Sequence, residues 1–270
     1  MTYEVGGGSM IRAIRERWRQ GYRTMAYPEQ APVLSDRYPG RPALDPARCL
    51  ADCHACSEAC PTGAIVADPG LSLDLGRCLF CAACSNACPR GAIEWTGDHR
   101  MATRSREALV MKDRELELAL SLDVTLHRLF GRSLKLRQVS AGGCNACEAD
   151  VNVLSTVGWD VGRFGIQIVA SPRHADGLLI TGPVPENMRL GLEKTWMATP
   201  SPKLVIASGA CAIAGGPFAG HPEVMGGAAA TLPVDLFIPG CPPHPVTILD
   251  GLLRLLGRLD SAGRSDSPRG

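Results

Sequence analysis

The stretch from Cys53 to Ile65, CHACSEACPTGAI, decides how the amino-terminal half of the chain folds, because it occurs twice. Its second copy, CAACSNACPRGAI, runs from Cys81 to Ile93 and agrees with the first at ten of thirteen positions. All three cysteines, the proline after the third and the final Gly-Ala-Ile are retained in the second copy. A repeat this close indicates one chemical unit used twice.

The spacing of these cysteines is typical of iron-sulfur proteins. With Cys78 in front, the second copy reads C-x2-C-x2-C-x3-C-P, the run that binds 4Fe-4S clusters in bacterial ferredoxins. In a duplicated run of this kind, the last cysteine of each copy serves the other cluster. We therefore expect an α+β ferredoxin domain with two clusters. The expected ligand sets are Cys49, Cys53, Cys56 and Cys88 for one cluster, and Cys78, Cys81, Cys84 and Cys60 for the other.

The first copy departs from the pattern at its start. Three residues separate Cys49 from Cys53, where the pattern has two. One additional residue costs little, since loop entropy changes slowly with length, and we expect Cys49 to be a ligand. The alternative is a cluster held by three cysteines plus water or Asp52.

The other four cysteines lie far apart in the carboxyl-terminal half, where short apolar segments predict buried parallel strands of an α/β domain. The predicted strands are 134–139, 177–181, 203–207 and 234–238, and the last predicted helix is 245–259. Cys144, Cys147, Cys211 and Cys241 each follow such a segment and have a glycine nearby. Because the carboxyl ends of parallel strands share one sheet edge, we expect these four to bind a third cluster.

This half of the chain, from about Leu134 to Leu259, resembles the small subunit of group 4 energy-converting (formate hydrogenlyase-type) NiFe hydrogenases, a relative of the quinone-site cluster subunit of respiratory complex I. The resemblance rests on AGGCNACE (141–148), ASPRHAD (170–176), LITG (179–182), GACA (209–212) and IPGCPP (238–243). In the complex I relatives the first two cluster cysteines are adjacent. Here two residues separate them, which favours the hydrogenase branch. RYPGRPALDP (37–46), leading into Cys49, resembles the two-cluster ferredoxin subunit of the same complexes.

The resemblance implies a flavodoxin-like domain fused to a ferredoxin domain, and a relay of three 4Fe-4S clusters in an oxidoreductase complex. The third cluster would be proximal to a catalytic large subunit, toward which Glu148 would face and help to move protons. A NiFe site needs two further cysteine pairs, and all twelve cysteines are already assigned, so the chain has no catalytic metal of its own. The implied partners are the large subunit, the membrane-arm subunits and a donor such as ferredoxin or a formate dehydrogenase module. The implied location is the cytoplasmic face of the cell membrane.

Two other functions are consistent with parts of the sequence. A related complex whose large subunit lacks nickel would reduce a quinone or a sulfur compound with the same relay. A zinc-stabilised interaction or nucleic-acid-binding protein would use a four-thiolate zinc site, but zinc accounts for neither the eight clustered cysteines nor the repeated proline. A net charge of +1 gives no general attraction to nucleic acid.

The remaining segments complete the predicted organisation. We expect a basic amphipathic helix and an extended arm over 1–46, the ferredoxin domain over 47–103, a connector over 104–133, the α/β domain over 134–260, and a polar tail over 261–270. The helix, at 10–22, would lie on a membrane surface, on a partner or on its own domain. The connector's leucines alternate as in a strand, but its composition favours a helix ending at Gly131. With no secretory signal and no long apolar stretch, we expect reduced cysteines and no membrane span.

Overall fold

The computed structural model describes residues 8–50 and 52–259, with side chains from residue 10 onward. Its helices are α1 (Gly8–Gln20), α2 (Ala55–Glu58), α3 (Ala83–Ala87), α4 (Val124–Phe130), α5 (Ala146–Val153), α6 (Glu186–Ala198), α7 (Ala210–Ala214) and α8 (Pro245–Leu255). Its strands are β1 (Pro42–Leu44), β2 (Ile65–Val66), β3 (Ser72–Asp74), β4 (Ile93–Trp95), β5 (Val110–Met111), β6 (Leu134–Ser140), β7 (Ile166–Ile168), β8 (Gly177–Thr181), β9 (Leu204–Ser208) and β10 (Leu236–Ile238). The predicted polar tail lies outside the described residues.

The amino-terminal unit is built from the two sequence copies. Each copy forms a short helix, α2 or α3, and then a short strand, β2 or β4, and the two helices pack against each other. Strand β4 pairs antiparallel with β1, and β2 pairs antiparallel with β3. The strand-like fragments predicted at Ile65 and Ile93 are confirmed. The small sheets and the paired helices place the cysteines of both copies side by side.

The connector differs from its prediction. It is helical only in α4, which ends next to Gly131 as expected. Before that helix, β5 pairs antiparallel with β3 and completes a three-stranded sheet, so this part of the segment belongs to the amino-terminal unit.

Between β5 and α4 the chain contains neither helix nor strand, because its backbone bonds to other parts of the protein. The amide of Ala119 donates to the carbonyl of Ala102 at 2.7 Å, and the amide of Leu122 donates to the carbonyl of Leu255 at 3.0 Å. These long-range bonds, with the burial of Ala119 and Leu122, outweigh the helix propensity that the prediction relied on.

The carboxyl-terminal domain is a five-stranded parallel sheet in the order β10-β9-β8-β6-β7. Numbered within the domain this is 2-1-3-4-5, the flavodoxin-like order. The predicted strands are confirmed to within two residues at each end, whereas β7 and the helix α6 were not predicted. Every strand's carboxyl end faces the same edge, and the order reverses between β6 and β8, where such sheets bind their ligands.

Helix α8 is buried along its whole length, although Thr247, Asp250 and Arg254 lie on one side of it. Asp250 accepts hydrogen bonds from the Tyr27 hydroxyl and from Arg254 Nε, both at 2.8 Å. The Tyr38 hydroxyl lies 3.2 Å from that of Thr247. We call these three α8 side chains the polar seam. Through it, the arm that precedes β1 is bound to the carboxyl-terminal domain.

We expect Asp250→Ala to lower the free energy of unfolding by about 3–5 kcal/mol, because Arg254 would remain buried without its carboxylate. Denaturant titration followed by circular dichroism under anaerobic conditions measures the change. Glu186→Ala is the matched control, since it removes a partner of Arg189 in an exposed ion pair. Equal loss in the two variants would contradict a stabilising role for the seam.

Candidate functional site: three groups of cysteines

The first group combines cysteines from both sequence copies. One cavity is lined by Cys49, Cys53 and Cys56 from the first copy and by Cys88 from the second. Leu71 and Ile93 are apolar parts of its wall, and Cys56 is buried. The structure thus brings together the four residues of the first predicted set, including Cys49.

The second group shows the reciprocal arrangement. Cys60 from the first copy joins Cys78, Cys81 and Cys84 from the second around one cavity. Trp95 closes part of its wall, where its indole Nε1 donates to Ser85 Oγ at 2.8 Å. The exchange of one cysteine between the copies follows from the packing of α2 against α3.

Backbone amides point at the exchanged cysteines in the same way in both copies. Ala64 N donates to Cys60 Sγ at 3.2 Å, and Ala92 N donates to Cys88 Sγ at 3.3 Å. The turn between each cysteine and its alanine passes through a glycine with positive φ, Gly63 at +58° and Gly91 at +62°. A side chain would strain that turn, so the retained glycine is what directs the amide to the sulfur. Such hydrogen bonds stabilise thiolate and tune cluster potentials.

Despite the unusual spacing after Cys49, the backbone just before Cys53 resembles the backbone just before Cys81 in the second copy. Asp52 precedes Cys53 with φ +60°, and Phe80 precedes Cys81 with φ +55°. These positive φ values are uncommon for residues other than glycine, and they occur at equivalent positions of the two copies. The residue just before the second cysteine therefore has a left-handed φ in both copies.

The third group is assembled from three loops at the carboxyl edge of the parallel sheet. Cys144 and Cys147 lie between β6 and the first turn of α5, Cys211 lies in α7 after β9, and Cys241 follows β10. The pKa of Cys147 is raised to about 12 by burial and then by the negative charges of Cys211, Glu148, Cys241 and Cys144. All four cysteines of the third predicted set are thus within electrostatic range of one another.

Two glycines leave room for these sulfurs. A Cβ at Gly209 would lie 2.6 Å from Cys147 Sγ, and a Cβ at Gly216 would lie 2.7 Å from Cys211 Sγ. Both glycines have positive φ, +94° and +55°. Any side chain at either position would displace a thiol, so the close approach of backbone to sulfur depends on glycine.

The thiols of the second and third groups are held in surroundings that disfavour a bare thiolate. Burial, followed by neighbouring cysteines, raises the pKa of Cys78 to about 12 and that of Cys84 and Cys211 to about 11. Burial also acts on Cys60, but hydrogen bonds from the amides of Thr62, Ala64 and Ile65 lower its pKa overall. Mutually repelling thiols of this kind ionise together only when a bound cation compensates their charge. The donor set therefore fits an iron-sulfur cluster.

A zinc site and a cluster site differ in how closely the four sulfurs must approach one centre. A zinc ion needs four sulfurs about 2.3 Å from a single centre. Within 8–50 and 52–259, no three His, Cys, Asp or Glu side chains lie close enough together to hold one metal ion. Each of the first two groups places its four cysteines around one shared cavity, as a cubane with four thiolate ligands requires.

Glu148 is a buried carboxylate directly after Cys147. Its Oε1 accepts hydrogen bonds from Ser140 Oγ at 2.6 Å and from Thr181 Oγ1 at 2.7 Å. Burial alone would raise the pKa of Glu148, but these two hydroxyl groups outweigh it and lower the pKa. The sequence pointed to Glu148 but not to Ser140 or Thr181, which end neighbouring strands β6 and β8.

Cysteines of the second group interact electrostatically with cysteines of both other groups. The pKa of Cys84 in the second group is raised chiefly by burial, and a charge on Cys56 of the first group raises it further. The pKa of Cys241 is raised by burial, by Cys144 and by Cys81 of the second group. The second group therefore lies next to both of the others. The sequence carries no signal for the proximity of Cys81 and Cys241, because it arises only when the two units pack together.

Two family models match parts of the chain. Residues 144–255 match the model described as NADH ubiquinone oxidoreductase, 20 Kd subunit. Residues 71–94, which include the second copy, match the model described as 4Fe-4S binding domain.

Individual proteins resemble the same regions. The chain is 40% identical to formate hydrogenlyase subunit 7 of Escherichia coli over 148 residues, 55% of this chain and 58% of that protein. It is 39% identical to the probable membrane-bound hydrogenase subunit mbhJ of Pyrococcus furiosus over 143 residues, 53% of this chain and 86% of that protein. A chain from the structure of a membrane-bound sulfane sulfur reductase, an archaeal respiratory membrane complex, aligns with 31% identity and a TM-score of 0.44. This alignment covers 50% of our chain and 75% of the other. The chain thus spans little more than half the length of the formate hydrogenlyase protein.

We expect Gly209→Ala to lower the iron content of the anaerobically purified chain, because the new Cβ would displace Cys147 Sγ and strain a backbone with φ +94°. Iron analysis and visible absorption measure the loss. Gly191→Ala is the control: it lies in α6, where a Cβ meets nothing within 4 Å, and should leave the iron content unchanged. A full iron content in Gly209→Ala would show that this close approach is not required.

Proposed function

We propose that this chain, which belongs to the family of the 20-kDa subunit of NADH ubiquinone oxidoreductase, is an electron-relay subunit with three 4Fe-4S clusters. It would pass electrons between a donor and the catalytic large subunit of a membrane-associated hydrogenase or complex I-like oxidoreductase. The observation that carries this proposal is the arrangement of twelve cysteines in three groups of four, with the second group next to both others.

The first two groups form a two-cluster ferredoxin domain in this proposal. The ligands are Cys49, Cys53, Cys56 and Cys88 in the first group, and Cys60, Cys78, Cys81 and Cys84 in the second. When bound, such clusters supply reversible one-electron chemistry over a wide range of potentials. Support comes from the two cavities, each lined by one complete set, and from the match of residues 71–94 to a 4Fe-4S binding domain.

The order of the groups gives the relay a direction. Electrons enter at the first group, cross at the second and leave through Cys144, Cys147, Cys211 and Cys241. The second and third groups are adjacent because the amino-terminal unit and the carboxyl-terminal domain are in direct contact near these cysteines. A Cβ at Gly76, two residues before Cys78, would lie only 2.7 Å from Ile213, two residues after Cys211. Electron tunnelling falls steeply with distance, so this contact favours transfer between the second and third groups.

In this proposal, the third group lies next to the catalytic large subunit. Cys144 and Cys241 are exposed at the sheet edge, whereas Cys81 is the only exposed cysteine among the other described groups. An exposed edge flanked by glycines offers a large subunit close access to this group. The chain keeps no cysteine for a catalytic metal, so the chemistry of hydrogen, quinone or sulfur belongs to that partner.

Glu148 is the side chain that we assign to proton transfer beside the third group. It directly follows Cys147 in the sequence, and its side chain is buried. Ser140 and Thr181 hold its Oε1 and thus fix the carboxylate toward the sheet edge. We propose no catalytic residue in the chain itself.

The complex would lie at the cytoplasmic face of the cell membrane, with this chain peripheral to it and near the membrane-arm subunits. No helix in the described residues is both long and apolar enough to cross a bilayer. One relative named above is a probable membrane-bound hydrogenase subunit, and it supports this placement.

Chemical analysis tests the number of clusters. We expect about twelve iron atoms and about twelve acid-labile sulfides per chain, because each cubane contains four of each. Cys84→Ser should remove one ferredoxin-type signal in electron paramagnetic resonance and leave that of the third group. Stoichiometric zinc without iron-sulfur absorption would overturn the proposal.

Two variants in the intact complex test the direction of the relay. Cys241→Ser should leave both ferredoxin-type clusters reducible by a low-potential donor, and transfer to the large subunit should cease because its exit is lost. Cys56→Ser should block entry from the donor, while the third cluster still exchanges electrons with the large subunit. Spectroscopic reduction and turnover are measured on the same samples. Full turnover in Cys241→Ser would refute the assignment of the third group as the exit.

A further inference from the structure

Helix α1 carries an apolar stripe that the rest of the chain does not cover. Met10, Ile14 and Trp18 follow one another at intervals of four, and Ile11 lies beside them. Their exposed fractions are 73% for Met10, 50% for Ile14, 83% for Trp18 and 70% for Ile11. The helix therefore does not pack on its own domain, which was one of its three predicted locations.

Arginines border this stripe on both sides. With 3.6 residues per turn, Arg15 lies at one edge and Arg17 at the other. Arg12 and Arg19 lie opposite, and Glu16 is the sole acidic residue of α1. Glu16 pairs with Arg19 at 2.8 Å, and neither Arg15 nor Arg17 forms an ion pair among the described residues, although Arg17 donates to the carbonyl of Gly21.

Aromatic side chains continue the stripe beyond the helix. Tyr22 is 89% exposed, and the guanidinium of Arg17 lies 4.7 Å from the centre of its ring. Tryptophan and tyrosine concentrate at membrane interfaces, where an apolar ring and a polar tip meet matching surroundings. Long arginine side chains beside an apolar stripe reach up to phosphates while their stems remain in the apolar layer.

We infer that α1 is an interfacial helix that binds a bilayer containing anionic phospholipids. Its apolar stripe enters the boundary between headgroups and acyl chains, and Arg15 and Arg17 bind phosphates on either side. A protein groove would need acidic residues along both of its rims to match this pattern, whereas an anionic bilayer presents negative charge around the whole helix. The inference rests on α1 alone, and it goes beyond the electron relay, which uses none of these residues.

Vesicle flotation of the full, iron-loaded chain tests this inference. The chain should float with vesicles of phosphatidylcholine and phosphatidylglycerol, bind vesicles of phosphatidylcholine alone roughly ten-fold more weakly, and dissociate as salt screens the arginines. Ile14→Glu with Trp18→Glu should abolish binding. Arg15→Gln with Arg17→Gln should weaken binding to the mixed vesicles only. Val33→Glu is the matched control, since Val33 is 97% exposed outside the helix.

Three results would overturn the inference: no binding to the mixed vesicles, equal binding to both kinds of vesicle, or unchanged binding of the Ile14/Trp18 variant. A chain that attaches only to membranes containing the partner subunits would assign the stripe to a protein and likewise overturn it. Iron content and reduction by dithionite are measured on the same samples. They show whether the clusters are intact, independently of whether the chain binds lipid. Loss of lipid binding with intact clusters would contradict the inference about α1 but not the proposed electron relay.

Discussion

The position of Cys241 relative to Cys81 depends on the contacts that fix helix α8 in the fold. This helix begins four residues after Cys241, with His244 at its cap, and it is buried from end to end. Its polar seam contacts Tyr27 and Tyr38 of the arm, and His99 Nε2 lies 3.4 Å from the Tyr27 hydroxyl. The arm leads into β1, which pairs with β4 of the amino-terminal unit. A few polar contacts therefore join both units to the helix behind the third cysteine group.

Backbone hydrogen bonds and a shared apolar core also join the amino-terminal unit to the carboxyl-terminal domain. The backbones of Thr103 and Phe237 exchange two hydrogen bonds, of 3.0 and 2.9 Å, and so connect the end of the ferredoxin unit to strand β10. One buried cluster runs without interruption from Leu73 through Leu109 to Ile213 and Phe237. Since this core crosses the boundary, the two units behave as one body. The separation between the second and third cysteine groups is set by packing.

The sequence was most informative where chemistry imposes spacing. The cysteine runs predicted which four residues meet around each cavity, and the apolar runs predicted four of the five parallel strands. Strand β7 is a short edge strand with an exposed Gln167, and it lacks the apolar run that marks the other strands. The connector prediction was wrong because Leu116 packs on one core cluster and Leu122 lies in the other, whereas Leu120 is exposed. The adjacency of Cys81 and Cys241 and the hydroxyl groups on Glu148 depend on tertiary packing, for which local patterns carry no signal.

The distribution of the cysteines along the chain also sets an order of maturation. In the proposed assignment, the ferredoxin-type sets lie between Cys49 and Cys88, within one stretch that is synthesised before the third set. The third set extends from Cys144 to Cys241, across the strands β8, β9 and β10. Its ligands converge only after the parallel sheet has formed, and Cys241 is among the last parts of the domain to be synthesised. The machinery that delivers iron and sulfide would therefore meet two early sites on the nascent chain and one late site on the folded domain.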